Sequence, residues 1–224
     1  MEPIIETKNL TRFFKVGNQV IYALRDVSVT IPQKSLVILK GPSGSGKTTL
    51  INLLGALDKP DNGQIIYKDK DITRLREKDR DNLRRFQMGF VFQSVALISL
   101  MTAYENVELA LKIAAYDPLK SNERVDYCLD LVGLLKRKNH KPFEMSGGEQ
   151  QRVAIARAIA HEPDVVFADE PTAELDTHLG LQVVKLFKVL IAKQGISIIM
   201  TTHDPNMMEI GDYVLSLEDG KIIS

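Results

Sequence analysis

A chain of 224 residues is long enough for one large domain, or for a core lobe with a smaller satellite. Its 29 basic and 29 acidic residues cancel, and aromatic residues are only 6% with no Trp, which argues against a basic or base-stacking nucleic-acid surface. The lone Cys128 excludes an internal disulfide and suits a reducing compartment, while neither a signal peptide nor a run of roughly 18 apolar residues is visible, so a cytoplasmic protein is expected.

Strand-like segments dominate the first forty residues. Val27, Val29 and Ile31 alternate with polar residues, which predicts one half-buried antiparallel strand. Ser35-Leu-Val-Ile-Leu39 is a continuous apolar run, as expected of a strand covered on both faces. It leads into Gly41-Pro-Ser-Gly-Ser-Gly46-Lys47-Thr48, after which Leu50, Ile51, Leu53, Leu54 and Leu57 fall at helical spacing. Strand, glycine loop and helix together satisfy G-x-x-x-x-G-K-[ST]. The glycines let backbone N–H groups close around phosphate oxygens, Lys47 neutralises the β- and γ-phosphates, and Thr48 offers its hydroxyl to Mg²⁺. Asn62-Gly63 marks a turn before a strand at 64–67. Residues 73–86 mix both signs of charge, which predicts a helix with a solvated face and no binding patch.

From 94 to 160 the pattern is mostly helical. Cys128 shares a face with Val125, Leu129 and Val132, so it is read as a core thiol. Near the end of this stretch comes a second glycine-rich segment, Ser146-Gly147-Gly148-Glu149-Gln150, opening a helix through Ala154, Ile155, Ala158 and Ile159. Ser146 has the chemistry of an N-cap, and the glycines permit close approach. After Pro163, strands at 164–168, 196–201 and 213–217 alternate with a helix at 180–193, and Asp219-Gly220 turns the chain into a final hairpin. Alternating strands and helices imply a parallel sheet wrapped by helices.

Val165-Val-Phe-Ala-Asp169-Glu170 sets two acids at the end of a buried strand. Downstream of a phosphate loop they fit a division of labour, with Asp169 on Mg²⁺ and Glu170 as general base for the attacking water. His203 follows the next apolar strand. Open α/β sheets bind ligands at the carboxyl ends of their strands, so Lys47, Asp169, Glu170 and His203 are expected to converge on one γ-phosphate.

Met145-Ser-Gly-Gly-Glu-Gln-Gln-Arg-Val-Ala-Ile-Ala-Arg157, with the order of the other motifs, resembles the ATP-binding subunit of ABC transporters over nearly the whole chain. The resemblance implies an α/β fold: a P-loop NTPase (RecA-like) core with an antiparallel β subdomain and an inserted helical subdomain. A single domain over 1–224 follows, with the helical part at about 94–160 inserted between 1–93 and 161–224. Nucleotide contacts are implied for Gly41, Ser43, Gly44, Ser45, Gly46, Lys47, Thr48 and Thr49. Phe14 takes the place of the ring that stacks on adenine, with Phe13 beside it as the alternative. Gln93 matches the glutamine that senses Mg²⁺ and the attacking water. His203 matches the switch histidine, and Asp176 lies in the loop facing the opposing subunit. Members of this family work as head-to-tail dimers, so Ser146, Gly147 and Gly148 are expected on the γ-phosphate of a second copy. The signature departs from the usual Leu-Ser-Gly-Gly-Gln in Met145, which conserves volume, and in Glu149, which adds an acid near a phosphate-facing helix start.

Within the family the resemblance is to the macrolide-export and lipoprotein-release type. It implies a cytoplasmic ATPase held on the membrane's inner face by an integral permease subunit, with ATP and Mg²⁺ and without nucleic acid. Residues 94–103 carry no charge; part is expected in the core and part in an apolar groove for a short permease helix. Two other readings stay open: a scaffold whose assembly ATP regulates, and a soluble ABC ATPase.

Overall fold

In a computed structural model, which describes residues 2–223, the chain builds two sheets. The first is antiparallel. Its long strand β1 (Pro3–Val16) pairs with β2 (Gln19–Val27), β3 (Thr30–Pro32) and β5 (Asn62–Tyr67), and β6 (Lys70–Asp71) extends it past β5. The single strand expected over Val27, Val29 and Ile31 is therefore divided. All three side chains are buried, but the ladder is interrupted at Ser28–Val29, between β2 and β3, just after Asp26 near the end of β2 takes a positive φ of 51°. The Thr7 hydroxyl fills the break, donating to the Val27 carbonyl at 3.0 Å and accepting from the Val29 N–H at 3.0 Å. A period-2 pattern cannot reveal a side chain standing in for a ladder bond.

The second sheet has the order β11-β10-β4-β9-β8-β7, formed by β4 (Leu36–Lys40), β7 (Met88–Val91), β8 (Val165–Ala168), β9 (Ser197–Thr201), β10 (Tyr213–Glu218) and β11 (Lys221–Ile222). All neighbours run parallel except the closing β10–β11 hairpin. The apolar runs of β4, β8 and β9 are explained by cover on both faces. Val37, Leu39, Phe167 and Ile199 point toward the antiparallel sheet and α1 (Lys47–Leu54). Leu36, Ile38, Val166, Ile198 and Met200 point the other way, into a core shared with α3 (Ala103–Ile113), α4 (Pro118–Leu131), α5 (Gly147–Ile159) and α6 (Thr177–Gln194). Cys128, Val125 and Leu129 lie fully buried in that second core, as their shared face predicts.

α5 reaches the sheet at β7, where a Cβ on Gly89 would stand 2.3 Å from the Ala158 carbonyl oxygen, so glycine there lets strand and helix touch. The charged helix expected at 73–86 forms as α2 (Glu77–Gln87), yet its face is not wholly solvated. Arg80 is buried and donates from Nε and Nη2 to the Ala56 carbonyl at 2.9 and 2.7 Å, beyond the end of α1. Among the described residues no helix is long and apolar enough to cross a membrane.

Candidate active site

The loop between β4 and α1 is shaped by close contacts that exclude side chains. Gly46, the N-cap of α1, has φ 104°, and a Cβ there would meet the Ala23 carbonyl oxygen at 2.3 Å. A Cβ on Gly41 would lie 2.1 Å from the Leu217 carbonyl oxygen, so the final hairpin closes against the loop. α3, α4, α5 and α6 each begin with a side-chain cap, on Thr102, Asp117, Ser146 and Asp176. α1 has none, which leaves its first N–H groups and the positive end of its dipole for an anion. Lys47 is buried beside them, its ammonium donating to the carbonyls of Gly41 and Pro42 at 2.8 and 3.0 Å. Ser45 Oγ is buried with no hydrogen-bond partner among the described residues. Ser43, Gly44 and Thr48 are exposed at the loop surface and Thr49 is half-buried. A buried cation facing only carbonyls, an unpartnered hydroxyl and uncapped N–H groups fit an incoming polyphosphate.

Parallel pairing brings the acids to this loop. The Thr48 hydroxyl donates to Asp169 Oδ1 at 3.2 Å. The Thr201 hydroxyl donates to the same oxygen at 2.7 Å and accepts from the Glu170 N–H at 2.7 Å. Thr201 is a residue that the sequence reading missed; the available signal was a polar residue closing an otherwise apolar strand. Glu170 sits at φ 45°, a conformation costing a non-glycine residue about 1–3 kcal/mol. Its Oε2 lies 3.3 Å from Nδ1 of His203, which is itself largely exposed. Lys47, Thr48, Asp169, Glu170 and His203 thus gather at the carboxyl ends of the adjacent strands β4, β9 and β8.

Gln93 leaves the sheet two residues after β7, next to the Asp169 segment, whose N–H bonds the Val91 carbonyl at 2.9 Å. The loop after Gln93 is anchored by Arg157 of α5, which donates to the carbonyls of Val95 and Ala96 at 3.2 and 2.7 Å. Buried Asn106 holds the next stretch through the carbonyls of Ile98, Met101 and Thr102. Within residues 94–103, Leu97 packs on the core and Ala103 is buried, whereas Ile98 and Leu100 are exposed.

Ser146, Gly147 and Gly148 do not join this cluster. Their neighbours are Leu175 and Leu179, on the segment after Glu170, and α5 packs beside β7, three strand spacings, or about 14 Å, from β4, which carries the glycine loop. Ser146 caps α5 in a reciprocal box: its side chain accepts from the Glu149 N–H at 3.3 Å, and Glu149 Oε2 accepts from the Ser146 N–H at 2.9 Å. Nothing within the chain demands glycine at 147, where a Cβ would meet only Leu175 at 3.9 Å. Asp176 caps α6, accepting from the Leu179 N–H at 2.9 Å. On β1, the Phe13 ring packs on Tyr22 with centroids 5.7 Å apart, while the exposed Phe14 ring carries the Arg12 guanidinium 4.7 Å from its centre.

Known proteins of one family resemble this chain. The family model for the ABC transporter matches residues 24–173. The ABC transporter ATP-binding protein MJ0796 of Methanocaldococcus jannaschii is 42% identical over 224 residues, covering 98% of this chain and 95% of its own. A dimeric structure of MJ0796 in a post-hydrolysis state, bound to ADP and Pi, superposes with a TM-score of 0.89 at 39% identity, over 98% of this chain and 97% of that one. The macrolide export ATP-binding/permease protein MacB of a Shewanella species is 39% identical over the whole of this chain, which spans only 34% of that longer protein.

Proposed function

Because the chain belongs to the ATP-binding family of ABC transporters, we propose that it is the motor of a transporter whose permease is a separate membrane protein. It is an ATPase that closes as a dimer on ATP and opens after hydrolysis. The observation that carries this reading is the division of phosphate-binding chemistry between two places. One place holds Lys47, Thr48, Asp169, Glu170 and His203. The other is the helix start at Ser146–Gly148, where Ser146 and Gly147 are exposed, Gly148 is buried against Leu179, and a Cβ on Gly147 would meet only Leu175 at 3.9 Å. A second copy placed head to tail brings that helix start onto the γ-phosphate held by the first.

In this reading the uncapped N–H groups of α1 and the loop from Gly41 through Thr49 cradle the phosphates, and Phe14 gives adenine a stacking face. Lys47 transfers its donors from the Gly41 and Pro42 carbonyls to the β- and γ-phosphates. Thr48 and Asp169 present hard oxygens to one point, a donor pair suited to Mg²⁺, which takes few protein ligands and completes its shell with phosphate and water. When bound, Mg²⁺ neutralises charge on the phosphate oxygens. Glu170 takes the proton of the attacking water, held in place by its backbone bond to Thr201 and by His203. His203 donates to the γ-phosphate, and Gln93 orients the water from the β7 side. Ser146, Gly147 and Gly148 of the second copy close the site and exclude bulk water. Asp176, at the start of α6, lies at the same dimer face.

Residues 94–160 form the helical subdomain in this scheme, and the exposed Ile98 and Leu100, a few residues beyond Gln93, receive the permease. The protein then works on the cytoplasmic face of a membrane without entering it. Glu170→Gln tests the core of the proposal. It should leave ATP binding intact, slow hydrolysis by at least about a hundredfold, and trap a dimer seen by gel filtration with ATP and Mg²⁺. A variant that binds ATP yet stays monomeric at saturating nucleotide, with permease supplied, would sink the composite-site reading.

A further inference from the structure

Glu149 stands where the family resemblance expects glutamine, and the structure shows what accompanies that acid. One carboxylate oxygen, Oε2, is held in the capping box by the Ser146 N–H at 2.9 Å. The other, Oε1, lies 3.2 Å from Nε of Arg137, in an ion pair whose carboxylate is mostly buried and whose guanidinium is half-exposed. Arg137 ends a short turn, Leu135–Arg137, that neighbouring elements hold still. The Lys138 ammonium reaches Asp126 of α4 at 2.8 Å, and the carbonyls of Lys138 and His140 accept from the N–H groups of Tyr104 and Ala103 at the start of α3. The arginine is delivered to Glu149 from a fixed position.

The capping box does not need the charge, because a glutamine at the same position reaches back to the N-cap N–H equally well. A carboxylate at a helix start favours the isolated helix through the dipole. It opposes a phosphate approaching the same N–H groups, since the two anions compete for one positive end. Arg152, one helical turn further on, also draws the Glu149 carboxyl below the usual range, behind the larger effect of the Ser146 bonds. Arg137, however, is the cation paired directly with it.

We propose that Arg137 is a positioning residue of the site formed between two copies, turning the Glu149 carboxylate away from the open face of Ser146–Gly148 and cancelling its charge. This rests on the reading that Ser146–Gly148 engages the γ-phosphate of a second copy. Because the pair is half-exposed, its effect should weaken as salt screens it.

The test uses the full chain in the Glu170→Gln background and reads the ATP concentration that half-saturates dimerisation. Adding Arg137→Gln should raise that concentration about tenfold at low salt, because an uncompensated carboxylate then faces the incoming phosphate. Adding Glu149→Gln as well should restore it to within about twofold, a rescue that a purely structural arginine would not show. Arg137→Lys keeps the charge and should dimerise like the background, which guards against misreading a folding defect. ATP binding by the dilute monomer, followed with a fluorescent analogue, should not change in any variant. Unaltered dimerisation of Arg137→Gln, or no rescue by Glu149→Gln, overturns the role of Arg137 while leaving the composite site standing. Failure of the Glu170→Gln background itself to dimerise overturns both.

Discussion

Thr201 and Cys128 illustrate what single residues disclose and conceal. Cys128 sits on an apolar face, and the fold buries it completely. Burial pushes its thiol up to about 11 from an ordinary value near 9.0, and the nearby Arg124 only partly opposes this. The folded thiol therefore keeps its proton where the unfolded one loses it. Its contribution to stability is complete below pH 9.0 and declines toward about pH 11, by at most about 1.4 kcal/mol per pH unit. Iodoacetamide at pH 8 should label Cys128 at least about a hundredfold more slowly in native protein than in urea. Rapid native labelling would show that the helical core opens readily. The cluster of Lys47, Thr48, Asp169, Glu170 and His203 was legible because each residue directly follows an apolar strand or a glycine loop, and parallel pairing sets such ends side by side. Thr201 was not legible, because its role depends on a hydroxyl reaching Asp169 and the Glu170 N–H at once. The occupation of Glu149 by Arg137 was hidden for the same reason, as the partners stand twelve positions apart.

Elements were legible wherever periodicity reports burial, and so was a helix start such as Ser146, but the C-terminal ends of the helices were not. The parallel strands and most helices follow from apolar runs and 3.6-residue spacing. What holds the C-terminal ends of α1, α3 and α5 comes from far along the chain and leaves no local pattern. Arginines do much of it. Arg80 and Arg84 bond the Ala56 carbonyl past α1, Arg85 bonds the Ile113 carbonyl ending α3, and Arg124 bonds those of Ile159 and Ala160 ending α5. Each sets a cation at the negative end of a helix dipole and satisfies carbonyls without an intrahelical partner. This is why α2 carries a buried arginine where charge patterning alone predicts a solvated face. Arg124 is the strongest case: it is buried on α4, donates at 2.8 Å to both carbonyls, and reaches Gln194 of α6 at 3.1 Å. Arg124→Met keeps most of the packing volume but strands the Ala160 carbonyl and leaves that of Ile159 with the Glu162 N–H alone. It should lower unfolding free energy by about 2–4 kcal/mol, read as a lower urea midpoint at unchanged slope. A loss below about 0.5 kcal/mol would mean that water replaces the guanidinium there.

At the scale of the molecule, the two glycine-rich segments pose the question that one chain cannot answer alone. Both begin helices, yet one leaves its N–H groups uncapped beside Lys47, while the other is capped and opens a helix that packs beside β7, three strands from β4. If each bound its own nucleotide, damage to one would leave the other working within the same chain. If they are halves of shared sites in a head-to-tail dimer, damage to either abolishes both sites of a homodimer. Lys47→Ala removes the phosphate-facing cation. Gly147→Arg blocks the helix start with little strain at its own backbone, since a Cβ there meets nothing nearer than Leu175 at 3.9 Å. Each variant alone should hydrolyse ATP at background rate. Mixed in equal amounts, about half of the dimers pair one variant with the other, and each of these joins an intact loop to an intact helix start at one of its two sites. Activity should then recover to as much as about a quarter of the unmodified rate, provided one closed site suffices. Recovery requires that ATP be gripped by two chains at once; if mixing restores nothing while both variants remain folded and associate, either the sites are not shared or both must close together. A mixture in which dimers trapped by Glu170→Gln form with a single nucleotide bound separates those outcomes, because only shared sites allow a half-loaded sandwich to hold two copies together.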